Sequence, residues 1–126
     1  MGLMKEMMKE IGNKSREFYE FVLPPIDMHL TDENLKVIID IPGFQKEDIK
    51  LTLCGNILSI KAKKIMNEED SKTLISNQRP NMINKKVTLP MKIKEGEEKI
   101  ESAKYENGVL VLVIPVTKKS KNITIE

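Results

Sequence analysis

A chain of 126 residues has the length of one domain and can bury roughly two thirds of its unfolded surface, so its core needs no disulfide or metal staple. Its 21 Lys+Arg stand against 19 Asp+Glu with both signs interspersed, a net charge of +2 that argues against nucleic acid as a partner. A single cysteine, Cys54, excludes an internal disulfide, no early segment reads as a secretory signal, and no apolar run approaches the roughly 18 residues of a membrane helix, so the expectation is a cytoplasmic protein without a membrane partner.

Met4, Met7, Met8 and Ile11 recur at helical spacing, and Phe18, Phe21 and Val22 resume the same stripe after a polar gap around Gly12. This arm holds four of the eight methionines and three of the five aromatics, and Pro24-Pro25 ends any helix there. The boundary is therefore set after residue 23. From Ile26 the pattern turns to strands. Val37, Ile39 and Ile41 share one face, and the run stops at the Pro42-Gly43 turn. Ile49, Leu51 and Leu53 alternate with Lys50, Thr52 and Cys54, Gly55-Asn56 reads as a two-residue turn, and Ile57 to Ala62 returns.

Residues 63 to 82 are polar and charged with one β-prone piece, Thr73-Leu74-Ile75, a connection long enough to be functional. Met82 to Leu89 resumes as a strand closed by Pro90, and Glu95-Gly96-Glu97-Glu98 forms a charged loop. Next come a strand up to Glu106, an Asn107-Gly108 turn and the apolar run Val109 to Ile114, which predicts a hairpin whose second strand is buried on both faces at the centre of a two-layer structure. Seven or eight short strands, one N-terminal helix and no repeats predict an all-β sandwich.

No enzyme signature survives inspection. The six glycines are too scattered for a phosphate-cradling loop, and one histidine, His29, with one cysteine leaves zinc sites and Cys-His or Ser-His catalysis without support. His29 reads as a half-exposed strand residue and Cys54 as a small strand filler. Glu47-Asp48, Glu68-Glu69-Asp70 and Glu97-Glu98 fall in loops, where solvated charge is their ordinary role. No cofactor, metal or catalytic residue is expected.

The adhesive parts are the ends. The sandwich is complete without the arm, so the Met-rich stripe is expected to pack against other chains, and methionine's flexibility suits surfaces that accept many shapes. At the C-terminus, Ile123 and Ile125 would point the same way in an extended tail, beyond a Lys-rich linker, as a plug that adds a strand to a neighbour's sheet edge. Burying both could supply about 3 to 6 kcal/mol before ordering costs, so single plugs are weak and an assembly holds through many.

Together these motifs resemble the small heat-shock protein family and its α-crystallin domain, in the non-animal branch. The family's Ala-x-x-x-Asn-Gly-Val-Leu stands as Ala103 to Leu110, its Pro-Gly-Phe with acidic residues and Ile as Pro42 to Ile49, its Leu-Pro as Leu89-Pro90, and its Ile-x-Ile as Ile123 to Ile125. The resemblance spans residues 24 to 126 and leaves the arm uncovered. It implies an immunoglobulin-like β-sandwich over residues 24–116, an arm over 1–23 and a tail over 117–126. It also implies an ATP-independent holdase chaperone, not an enzyme, that binds partly unfolded clients and grows from dimers into large homo-oligomers.

On the same resemblance, clients would meet Met4, Met7, Met8, Ile11, Phe18 and Phe21. The tail plug Ile123 and Ile125 would enter a groove lined by Leu51, Leu53 and Ile100, and Thr73, Leu74 and Ile75 would swap as a strand into the partner's sheet. Lys85 stands where the family usually carries arginine. It keeps the charge and loses the bidentate fork, so an ion pair across the dimer is weakened. The competing expectation is a co-chaperone or adaptor sandwich with one specific protein partner.

Overall fold

The structure is a computed structural model that describes residues 2–116 and residue 125. Its elements are α1 (Gly2–Val22), β1 (Ile26–Leu30), β2 (Asn34–Asp40), β3 (Ile49–Cys54), β4 (Ile57–Lys63), α2 (Glu68–Thr73), β5 (Met82–Thr88), β6 (Ser102–Glu106) and β7 (Val109–Pro115). A single 3-10 turn, Lys46–Asp48, precedes β3. The strands form a four-stranded sheet in the order β1-β2-β7-β6 and a three-stranded sheet in the order β3-β4-β5, antiparallel throughout. This is the expected two-layer sandwich with its short N-terminal helix.

Alternation builds the core. In the β2–β7 register Leu35 faces Ile114, Val37 faces Leu112 and Ile39 faces Leu110, and all six are buried. From the other sheet Leu58, Ile60, Ala62 and Ile83 meet them, with Ile41, Phe44 and Leu89 closing the ends. β7 departs from expectation in one respect: it is central, yet only Leu110, Leu112 and Ile114 are buried, while Val109, Val111 and Val113 are half-buried. Among the described residues their face carries no second layer. Asp40 and Lys36 lie beside Val109 and Val113 in register, and the lysine stem gives partial cover.

The Asn107-Gly108 turn takes the left-handed conformation at both positions, φ 53° and 78°, as a type I′ hairpin requires. The Gly108 carbonyl accepts a hydrogen bond from the Ile41 N–H at 2.8 Å. A Cβ on Gly108 would stand 3.0 Å from Pro42 Cα, so this hairpin seats directly on the Pro42-Gly43 turn. The Tyr105 hydroxyl lies 2.9 Å from the carbonyl oxygens of both Ile41 and Phe44, sharing its proton between them. Two motifs more than 60 residues apart in the chain are thus one physical unit.

The expected N-terminal helix α1 runs continuously through the polar gap at Gly12 to Val22, and its last bond, Leu23 N–H to the Tyr19 carbonyl at 2.9 Å, falls immediately before Pro24, which has no N–H to offer. Within this subunit Thr73-Leu74-Ile75 pairs with no described strand. Residues 68–73 are helical because Asn67 caps the turn, accepting the Asp70 N–H at 2.7 Å, and Glu68, Glu69 and Asp70 place negative charge at its N-terminus. Thr73 ends the helix and Leu74 is its extended C-cap. Local capping wins here because no strand of this subunit lies beside the segment to pair with it.

Candidate functional site

The apolar stripe of α1 points into solvent. Met4, Phe18 and Phe21 are 71%, 61% and 81% exposed, and Leu3, Met7, Met8, Ile11 and Val22 are exposed with them. The expected arm residues Met4, Met7, Met8, Ile11, Phe18 and Phe21 therefore form one surface. On a 3.6-residue helix that surface lies roughly 150° around the axis from Gly12, Arg16 and Glu20. Gly12 meets the connection at Ser76 and Asn77, Glu20 meets Asn81 and Met82, and Arg16 pairs with Glu20 beside them, so the helix docks by its polar side.

The dock is built from few groups. Gly12 is buried, and a Cβ there would meet the Ser76 hydroxyl at 2.7 Å and the Asn77 backbone nitrogen at 2.9 Å. The Glu20 carboxylate accepts two backbone N–H bonds through Oε2, from Asn81 at 2.8 Å and Met82 at 2.9 Å. Its Oε1 faces Arg16 Nε at 3.6 Å, and the two side chains are only 17% and 23% exposed. Asn81 immediately precedes the edge strand β5 and Met82 opens it, so the carboxylate serves donors at the strand's start. The stripe was legible in the sequence; these three residues were missed there, and the only hint was a glycine tolerated in mid-helix.

Beside this dock, Lys64 Nζ stands 5.3 Å from the centre of the Phe44 ring. Partial burial pushes the Lys64 ammonium below the ordinary lysine pKa, the Arg79 charge acts the same way, and Glu20 opposes both. Leu74 is half-buried, while Thr73 and Ile75 are exposed on the outer side of the connection. Lys85 is half-buried on β5, opposite Ile60 of β4.

At the other edge β3 faces β6. A cavity of about 170 Å³ opens there, lined by Lys46, Ile49, Leu51, Ala103, Tyr105 and Leu110. Of the three expected groove residues it contains Leu51. Leu53 is half-buried against the core, Ile100 is 36% exposed, and neither lines the cavity. A larger cavity of about 520 Å³ lies at the end of the sandwich between residues 91–99 and the end of β7, its mouth carrying Lys92, Lys94 and Lys99.

In the charged loop, Glu98 reaches back to the β3–β4 turn and accepts the Gly55 N–H at 3.2 Å. Bonds from its own backbone N–H and from that of Gly55 hold its carboxyl below the usual carboxylate range, with those of Gly96 and Glu97 adding to them against a desolvation that acts the other way. The tail residue Ile123 and most of the tail segment lie outside the described residues, and Ile125 is 92% exposed. His29 and Cys54 are both exposed strand residues, Cys54 a free thiol. Among the described residues no group of three or more His, Cys, Asp or Glu could hold a metal ion, and no helix is long and apolar enough to cross a membrane.

A profile of the Hsp20/alpha crystallin family matches residues 27–126. Heat shock protein 16 of Schizosaccharomyces pombe is 29% identical over 103 residues, covering 78% of this chain and 69% of that protein. Small heat shock protein C2 of Rickettsia felis is 28% identical over 121 residues, covering 87% and 77%. Among solved structures, a mutant of hsp14.1 from Sulfolobus solfataricus superposes with a TM-score of 0.72 at 41% identity, over 98% of this chain and 97% of that one. That alignment includes the arm, which the family profile leaves out.

Proposed function

The chain belongs to the Hsp20/alpha crystallin family of small heat-shock proteins, and from that premise we propose that it is an ATP-independent holdase, binding partly unfolded proteins and keeping them from aggregating. One observation carries this reading. The sandwich closes its own core, yet α1 holds an apolar stripe from Leu3 to Val22 in solvent, a surface larger than scattered exposed residues would make. Met4, Met7, Met8, Phe18 and Phe21 make up most of its anchors, side chains that adapt to irregular apolar partners or bring large area.

The same proposal extends to assembly. Residues 1–23 serve as the client arm, 24–116 as the rigid domain and 117–126 as the tail. Ile123 and Ile125 plug a neighbour's β3–β6 edge, where Leu51 already lines an apolar cavity of about 170 Å³. Dimerisation through Thr73, Leu74 and Ile75 would release only Thr73 from the end of α2, since Leu74 is already extended and Ile75 lies beyond the helix, a small cost. A single exposed thiol fits a reducing compartment, and we assign the protein to the cytoplasm.

The test is aggregation of a heat-sensitive protein, followed by light scattering, with and without a stoichiometric amount of this chain. Suppression that is unchanged by ATP supports the holdase. Equal aggregation in both samples removes it, and tight binding of one partner only would favour an adaptor.

A further inference from the structure

We infer that Glu20 is the positioning residue of the arm: it fixes the rotation of α1 by accepting the Asn81 and Met82 N–H groups, and so keeps the apolar stripe from folding back onto its own sandwich. This rests on the client-binding role of the stripe proposed above. An amphipathic helix tethered to a domain by a short linker lowers its free energy by rolling its apolar face inward. Here the opposite face is inward, and the structure contains the groups that hold it there.

Both carboxylate oxygens are used, Oε2 by two backbone donors at 2.8 and 2.9 Å and Oε1 by Arg16 at 3.6 Å. The donors belong to residues 61 and 62 positions away, at the start of an edge strand, so the bonds tie the arm to the sheet rather than to its own helix. Bonds of this kind, to a charged acceptor, are the stronger members of their class, and the one from Asn81 is also partly buried. One turn and two turns before Glu20, Arg16 and Gly12 continue the same line. Gly12 lets the helix backbone approach Ser76 and Asn77 so closely that even an alanine Cβ would be 2.9 Å from the Asn77 nitrogen. The docking line thus leaves one rotation of the helix available. Rolling the stripe inward would break both backbone bonds.

The experiment compares the full chain with Glu20→Ala, Glu20→Gln and Gly12→Ala, reading amide exchange at residues 77–82 and suppression of client aggregation together. In Glu20→Ala, exchange at Asn81 and Met82 should rise about tenfold or more while the β7 amides keep their protection, and suppression should fall. Glu20→Gln retains a carbonyl oxygen that can accept both donors, so it should restore most of the protection and most of the suppression. Gly12→Ala, which favours an isolated helix, should instead loosen residues 77–82 by pushing the helix off.

Unchanged exchange at Asn81 and Met82 in Glu20→Ala overturns the dock. Faster exchange with suppression equal to that of the unmodified chain overturns the positioning role while leaving the holdase intact. If the unmodified chain suppresses nothing, the holdase reading has failed, and with it the positioning role; the exchange data then still decide the dock.

Discussion

Replacing Gly108 with alanine should destabilise the fold more than the same replacement at Gly96, and the difference isolates a tertiary contact. Both glycines have positive φ, 78° and 89°, where a Cβ costs about 1 to 2 kcal/mol. The smaller unfolded-state entropy of alanine returns about 0.4 to 1 kcal/mol of that. At Gly96 nothing lies within 4 Å of the added carbon, so the net loss should be about 0 to 1.6 kcal/mol. At Gly108 the carbon meets Pro42 Cα and Cβ, each at 3.0 Å, and Pro42 sits next to Ile41, whose N–H bonds the Gly108 carbonyl and whose own carbonyl takes the Tyr105 hydroxyl. Crowding of this kind adds about 1 to 3 kcal/mol, giving a total of about 1 to 4.6 kcal/mol. Urea unfolding of both variants at one fixed protein concentration measures the difference, since assembly makes apparent stability depend on concentration. Losses equal within about 0.5 kcal/mol would refute the seating of the hairpin on Pro42.

Tyr105→Phe should cost about 1 to 2 kcal/mol in the same assay, because it leaves the Ile41 and Phe44 carbonyls without the hydroxyl while preserving the ring; no loss would mean that solvent replaces the bond. The Glu98 carboxyl is held below its usual 4.5, so its contribution is present above that pH and is lost as pH falls through the lower folded value. The Gly55 amide should therefore exchange relatively faster in acid, once intrinsic rates are corrected, and a Glu98→Gln variant should remove most of this pH dependence. Removing residues 122–126 should convert a large species to dimers by light scattering, and a truncated chain that keeps its mass would show that the tail is not the plug.

The readable part of the site was the part with local periodicity. The stripe from Met4 to Phe21 repeats at helical spacing, and its exposure followed from the sandwich's having a complete core of its own. The groove was only partly legible: Leu51 lines the cavity at the β3–β6 edge, while Tyr105, Ala103 and Ile49 supply walls that no single motif grouped with it. The β-prone triplet at 73–75 pairs with no described strand of this subunit, because β propensity expresses itself only beside another strand, and Thr73 closes the helical turn that the Asn67 cap and three carboxylates favour.

By itself the sequence determined the strands, the hairpin and the family. A period of two, an Asn-Gly pair and Leu-Pro or Pro-Gly stops act within a few residues of one another, and local sterics and burial need no knowledge of the rest of the chain. Only the tertiary structure decided which face of α1 is held inward, how the two hairpin motifs stack, and that the connection is tied to the arm. Each of these depends on single bonds between residues about 60 positions apart, such as Glu20 with Met82 and Tyr105 with Ile41. A carboxylate and a backbone N–H carry no sequence pattern that announces their meeting.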